Sequence, residues 1–417
     1  MVHVEHYRFP EEIIRMAVLM YIYAGDSFES AARSIEVVSS VFPFLGISWP
    51  TGETVREWVL KCGLDSIKRG EFKEKGIGDA YAVITDESIT ISGHKILVTL
   101  KVPARQGDGA LRFSDVEVAD IDVAPSHKSG DVKEAVERVT EREGSKPAYA
   151  VSDNGTNLVK GLGEAEILHH RDVGHTLGTF LKTVYGDDEE FKALSKSVGY
   201  ARHFALTDVD YLMPCNMRAI ARWMNLFDWV YWAKHLMSVD YLLTEHERKM
   251  YSFLQEHGGL VDELDEVMEC YREILATCKN RGLSMETAKV CIDSVSRRLV
   301  RRGTRPDKLA SLIVSYFVTE TAKLEGADEV RVISSDVLES MFGWYKGRKS
   351  PNRMHGVTGF ILTLPLKTKI GDLESSRSFD FKACMEARHR KDVRTWQKEN
   401  LPESLATKRR NVLKNAC

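Results

Sequence analysis

Residues 79–104 read DAYAVITDESITISGHKILVTLKVPA. Two runs rich in Val, Ile and Thr flank Ser92-Gly93, which predicts two strands joined by a hairpin turn. A single charge pair, Asp86 with its neighbour Glu87, interrupts the first run. Further along, residues 111–125 (LRFSDVEVADIDVAP) alternate as a third strand does. Residues 128–144 place Val132, Ala135, Val136 and Val139 on one face of a helix. A short buried strand (PAYAVSD, 147–153), a short helix (154–163), another strand (AEILHHRD, 165–172) and another helix (173–186) follow. The order β-β-β-α-β-α-β-α predicts an α/β core with a mixed sheet: an antiparallel hairpin and third strand, continued by right-handed βα units.

Before this core the chain reads as helices. Pro10 opens one that stops at Gly25; Asp26 or Ser27 caps a second with Ala31, Ala32, Ile35 and Val38 on one face. After the turn-rich PFLGISWPTG, a third starts at Thr51 or Thr54 and closes at Gly63. A short helix, a turn and a helix carrying Arg56 and Lys61 have the pattern of a helix-turn-helix DNA reader, against the plainer reading of a helical cap on the next domain. From about 186 to 330 every segment reads as helix. The predicted organisation is therefore 1–75 helical and DNA-binding, 76–185 first part of the core, 186–330 an all-helical insertion, 331–370 the return of the core, and 371–417 a basic tail.

Composition narrows the function. The apolar fraction of 43 % is ample for a core in a chain of 417 residues. A net charge of −3 does not mark the whole chain as a partner of polyanions, so the distribution of charge matters more. Seven cysteines, scattered and without a C-x-x-C pair, argue against a zinc site or a disulfide framework and for a reducing, cytoplasmic setting. No run of about 18 apolar residues occurs, so no membrane association is expected.

Three acids carry the chemistry. Asp86 lies in the first strand and Asp153 ends the fourth; these strands are neighbours in this topology, and two adjacent carboxylates are stable with a cation between them. Glu339, in SSDVLESMFGWYKGR, lies on a helix returning after the insertion and supplies a third oxygen ligand. Glu87 competes with Asp86 for its role, Asp153-Asn154-Gly155 also reads as a plain helix cap and turn, and Asp336, one turn before Glu339, competes with Glu339. Carboxylates with water suit Mg²⁺ or Mn²⁺, and two such ions about 4 Å apart serve in-line phosphodiester displacement.

With VITDES around Asp86, AVSDNGTNLVKG around Asp153 and SSDVLESMFGWYKGR around Glu339, residues 10–370 resemble a DDE-type transposase with an RNase H-like core. The resemblance implies that Asp86, Asp153 and Glu339 ligate two Mg²⁺ or Mn²⁺ ions. It also implies that the protein hydrolyses DNA at the terminal inverted repeats of a mobile element and joins the freed 3′-hydroxyl to target DNA. A homodimer or higher assembly on DNA follows by analogy, since two ends must be joined. Rival readings are a transposase-derived DNA-binding regulator that no longer cuts and a structure-selective nuclease of the same fold.

Lys346, Arg348, Lys349 and Arg353 follow Glu339 closely and are read as phosphate contacts, or else as a solvated face. Asp172, at the end of the fifth strand, and His175, in the helix after it, are read as lying near the active site, or as ordinary capping and packing. Arg297, Arg298, Arg301 and Arg302 form a basic cluster split evenly between phosphate contact and solvated surface. Trp223, Trp229 and Trp232, with Arg218 and Arg222, read first as core of the insertion and second as stacking platforms for an extruded base. From Lys382 on, ten Lys and Arg against four Asp and Glu read as a DNA-binding or dimer-bridging arm, or a frayed end.

Overall fold

A computed structural model describes residues 2–69, 80–88, 90–205, 209–214, 223 and 226–415. Three helices come first: α1 (Glu11–Leu19), extended by a π-helical turn over Met20–Ala24, α2 (Phe28–Val41) and α3 (Gly52–Arg69). Gly25, with φ of 92°, ends the first, and the Ser27 hydroxyl accepts from the Ser30 N–H to cap the second. The sheet strands are β1 (Tyr81–Glu87), β2 (Lys95–Pro103), β3 (Glu117–Ala124), β4 (Ala150–Ser152) and β5 (His169–Arg171). Helix α4 (Ser129–Glu143) precedes β4, and α5 (Thr156–Glu164) follows it. The strands form one open, mixed sheet in the order β3-β2-β1-β4-β5, antiparallel across β3-β2-β1 and parallel between β1 and β4.

The hairpin turns at Ser92-Gly93, both at positive φ (52° and 84°), with Ile91 and His94 exchanging backbone hydrogen bonds. That is the two-residue turn whose twist matches the strands it joins.

Among the described residues, β5 is followed by the α-helices α6 (Val173–Tyr185), α7 (Glu189–Ala205), α8 (Leu226–Ser238), α9 (Glu245–Met250), α10 (Phe253–Glu256), α11 (Gly258–Arg281), α12 (Met285–Arg298) and α13 (Thr304–Thr321). The chain then runs through α14 (Asp336–Arg348), α15 (Thr363–Lys369), α16 (Ser375–Ser378), α17 (Phe381–Ala387), α18 (Arg390–Asn400) and α19 (Leu405–Asn415). Among the described residues no helix is long and apolar enough to cross a membrane.

Two compact units result. The first comprises residues up to Ala104, Leu111–His170 and everything from Ser335 on. One of its apolar bodies lies between the sheet and α4 and α5, where Val132, Ala135, Val136 and Val139 meet Tyr81, Val83 and Leu97. Gly161 is needed there, because a Cβ would stand 2.7 Å from that of Val132. The other gathers Ile13, Ile14, Ala32, Ile35, Val55 and Trp58 around Leu366, Ile370, Phe381 and Met385. Residues from 371, expected as a basic tail, thus bury apolar side chains at helical spacing. Arg388, next to α17, pairs with the buried Asp65 at 2.9 Å.

Gly63 does not end the third helix; α3 runs six residues further, and the glycine serves a close contact instead. Residues 42–51 separate α2 from α3, a longer connection than the roughly three or four residues of a helix-turn-helix.

The second unit, Arg105–Ala110 and Arg171–Ser334, has its own core of α6–α8 and α11–α13. Trp229 is fully buried in it, Trp223 stacks on Phe191 at 5.4 Å, and the Trp232 Nε1 donates to the Leu212 carbonyl at 3.0 Å. These rings serve packing; Arg218 and Arg222 lie outside the described residues.

On this unit's surface Glu273 accepts from Arg298 at 2.7 Å and from the Ser294 hydroxyl, and these bonds, the Arg298 guanidinium foremost, hold its carboxyl down to about 2 from 4.5. A folded-state value below the unfolded one stabilises the fold above about pH 4.5, and that contribution fades as pH falls toward 2. Urea midpoints should therefore fall more steeply between pH 5 and about 2.5 in the wild type than in Arg298→Ala. Parallel slopes would refute the assignment.

Candidate active site

Asp86 lies in β1, and Asp153 lies just past the end of the neighbouring β4. Val83 lies opposite Ala150 and Ile84 opposite Val151 in the parallel β1–β4 pair. β4 ends at Ser152, and the same register carried two residues on would set Asp153 opposite Asp86. Both are half-buried. Each carboxylate is oriented locally: Asp86 Oδ1 accepts the Glu87 N–H at 2.7 Å, and Asp153 Oδ1 accepts the Gly155 N–H at 2.7 Å. A Cβ at Gly155 would stand 2.8 Å from that oxygen, so the glycine makes room for the turn.

Glu87 is occupied elsewhere. Side chains alternate along a strand, so it faces α5 while Asp86 faces the other side of the sheet. There it takes hydrogen bonds from Lys95 Nζ at 2.5 Å and Asn157 Nδ2 at 2.9 Å, with His127 Nδ1 at 3.3 Å. Asn157 also donates to the His127 carbonyl at 3.2 Å. Of the adjacent acids, Asp86 lies on the face of the sheet opposite this cluster.

This cluster ties the end of β1 to the helix that follows Asp153, and nothing in the spacing had singled it out. Its traces were the second Asn of DNGTN and the lone histidine in the turn PSHKSG. Asn157→Ala should cost about 1.5 kcal/mol, the scale of a hydrogen bond to a charged group. An unchanged urea midpoint would show that the tie carries no load.

Glu339 sits exposed in the first turn of α14, three residues after the half-buried Asp336. Lys346 lies two turns on, and the carboxylates of Asp86 and Glu339 both act to raise the pKa of its ammonium. Burial is the larger influence and pushes the Lys346 ammonium below its ordinary value, while the two carboxylates push it back up. The stem of Lys346 lies against Phe342, with Nζ 5.5 Å from the ring centroid.

The other cations divide. Arg348 Nη1 donates to the Tyr21 carbonyl at 3.0 Å and stacks on Trp344 at 4.9 Å, which commits it to holding α14 against the N-terminal helices. Lys349 is half-exposed and Arg353 exposed. Lys61 is buried and donates to the Tyr7 hydroxyl at 2.8 Å, so it is not offered to a duplex; Arg56 is exposed beside Glu53 at 2.9 Å.

In the second unit, Asp172 is buried and caps α6, accepting the His175 N–H at 2.7 Å and lying 3.0 Å from His175 Nδ1. Arg297 and Arg298 pair with Glu273, and Arg298 also with Glu266 at 3.0 Å, which spends much of their charge internally. Arg301, at φ of 62°, and Arg302 are exposed.

The donor set of Asp86, Asp153 and Glu339 is all carboxylate oxygen, which fits Mg²⁺ or Mn²⁺ by chemistry. Among the described residues no three His, Cys, Asp or Glu side chains are gathered closely enough to hold an ion. Magnesium does not demand such a cage: it keeps several waters and commonly takes one or two carboxylates plus substrate phosphates. Neither a protein-family model nor a curated protein sequence matches the chain.

Proposed function

We propose that this chain is a DDE-type transposase whose first unit is an RNase H-like catalytic core. Asp86, Asp153 and Glu339 are its three acids. The observation that carries the reading is the parallel pairing of β1 with β4, which sets the strand carrying Asp86 beside the one that Asp153 follows. Two divalent ions, when bound, supply an activated water or 3′-hydroxyl and neutralise the leaving oxygen. Asp86 and Asp153 hold this charge at the end of the sheet, and Glu339 completes the set from α14. Lys346 offsets the repulsion between neighbouring carboxylates and the incoming phosphates. Lys349 and Arg353, at the surface beyond it, bind the backbone of the strand being cut.

The partner is duplex DNA: the ends of a mobile element, then a target. The test is to incubate the purified chain with Mg²⁺ and a labelled duplex bearing the DNA that flanks its gene. Nicking at an end followed by joined products is the expected result. Specific binding without cleavage in Mg²⁺ or Mn²⁺ would replace the reading with a DNA-binding regulator.

The burial of Lys61 inside α3's packing favours one second reading, a nuclease of the same core acting on branched or hybrid duplexes. Cleavage of such substrates without joined products would select it.

A further inference from the structure

The connection between α2 and α3 has an unusual surface. From Val37 to Gly52 the chain carries no Asp, Glu, Lys, Arg or His. Yet most of the segment is exposed: Phe44 at 81 %, Val41 at 61 %, Val37 at 59 % and Trp49 at 50 %, with Phe42 and Leu45 exposed beside them. It is also well formed. Pro43–Leu45 make a 3-10 turn closed by Gly46 at φ of 60°, the Ser39 hydroxyl donates to the Ile47 carbonyl at 2.5 Å, and Phe42 and Phe44 meet edge to face at 5.9 Å.

We infer that this knuckle is the contact surface between two copies of the chain. Three observations select that occupant. A face without charged side chains offers no ion pair to phosphates or to an oppositely charged partner, so recognition rests mainly on shape and apolar burial. A patch with no charge is its own complement across a two-fold axis, where the same residues meet from both sides. Its size also fits. Aromatic side chains offer roughly 150–250 Å² each, so at these exposures the whole patch presents about 400–600 Å². Two copies then bury about 800–1,200 Å², at the threshold of about 1,000 Å² for specific interfaces. Aromatic residues at the centre and the Arg33–Glu29 pair (3.6 Å) on α2 nearby give an apolar core with a charged rim. The ordering cost is small, because the turn is held before the partner arrives. No part of this rests on the catalytic reading.

The experiment is sedimentation velocity on the full chain from about 1 to 50 µM, a range that brackets the affinity of an interface this small. Wild type should move toward twice 47.2 kDa as concentration rises. Phe44→Glu should weaken the dimer at least about tenfold, while Phe204→Glu, on α7 of the second unit, should not. Because Phe44 is exposed, its variant should keep the wild-type circular dichroism; if it does not fold, Val41→Asp replaces it. A wild type that stays monomeric throughout overturns the proposal, as does a Phe44→Glu protein that dimerises as the wild type does. Wild-type monomers whose Trp49 fluorescence is quenched by duplex DNA would overturn it in favour of an apolar wedge between bases.

Discussion

Asp86→Asn and Glu339→Gln should each lower Mg²⁺-dependent strand cleavage by about a thousandfold or more, without lowering the melting midpoint. The size follows from what a carboxylate ligand does. A divalent ion contributes several kcal/mol of charge stabilisation to a phosphodiester displacement, and each 1.4 kcal/mol or so is tenfold in rate. The amide keeps the shape and surrenders the charge. The midpoint changes little, because neutralising a carboxylate relieves repulsion among the acids while giving up its attraction to the half-buried Lys346 ammonium, and the two effects offset one another. An ordinary destabilising change would depress both quantities together; here they part. Cleavage that survives Glu339→Gln while Asp86→Asn abolishes it would transfer the third place to Asp336. Survival in both variants would end the assignment.

Gly63→Ala should destabilise the first unit, although alanine is the better helix former. Within a helix the exchange favours alanine by about 1 kcal/mol. Against that, a Cβ at Gly63 would stand 2.7 Å from the carbonyl carbon of Leu362, and closer still to its oxygen. That neighbour is backbone and cannot rotate away. Prising α3 off residues 359–362 should cost about 3 kcal/mol, the upper part of the overpacking range. The clash wins by about 2 kcal/mol. Lower urea and thermal midpoints together with higher helicity in an isolated 52–69 peptide are the expected pair of results. A midpoint at or above that of the wild type would mean the helices shift freely, and the close packing has no consequence.

The sheet was readable because its signals are local. The β-branched runs, the Ser92-Gly93 turn and the four-residue stripe of α4 each name an element and its inward face without reference to anything distant. Asp86 stood out as a charge among apolar residues, though choosing it over Glu87 required seeing Lys95, His127 and Asn157 around Glu87. Gly63 misled for a physical reason: a glycine wanted for close approach looks the same in sequence as one wanted for a left-handed cap. Lys61 read as a surface cation because a buried lysine satisfied by a tyrosine leaves no local trace. Residues 363–369 carried the least signal of all. TLPLKTK shows no clear amphipathic period, because all seven residues are buried, Lys367 against the carbonyls of Ile22 and Gly371 and Lys369 near Glu117 at 3.6 Å. Such a segment is defined by what surrounds it.

That buried segment sets a schedule for the chain's synthesis. The apolar faces of α1, α2 and α3 are covered by Leu366 and Ile370, which leave the ribosome roughly 300 residues later, about 15–60 s at ordinary elongation rates. Throughout that interval the nascent N-terminal helices have only one another to cover Trp58 and its neighbours, while the second unit, contiguous from 171 to 334 apart from one short loop, completes its own core first. The half-made protein is therefore a client for whatever shields apolar surface at the tunnel exit. A message truncated before codon 363 yields a product that can neither close its first unit nor hide the surface it was meant to bury.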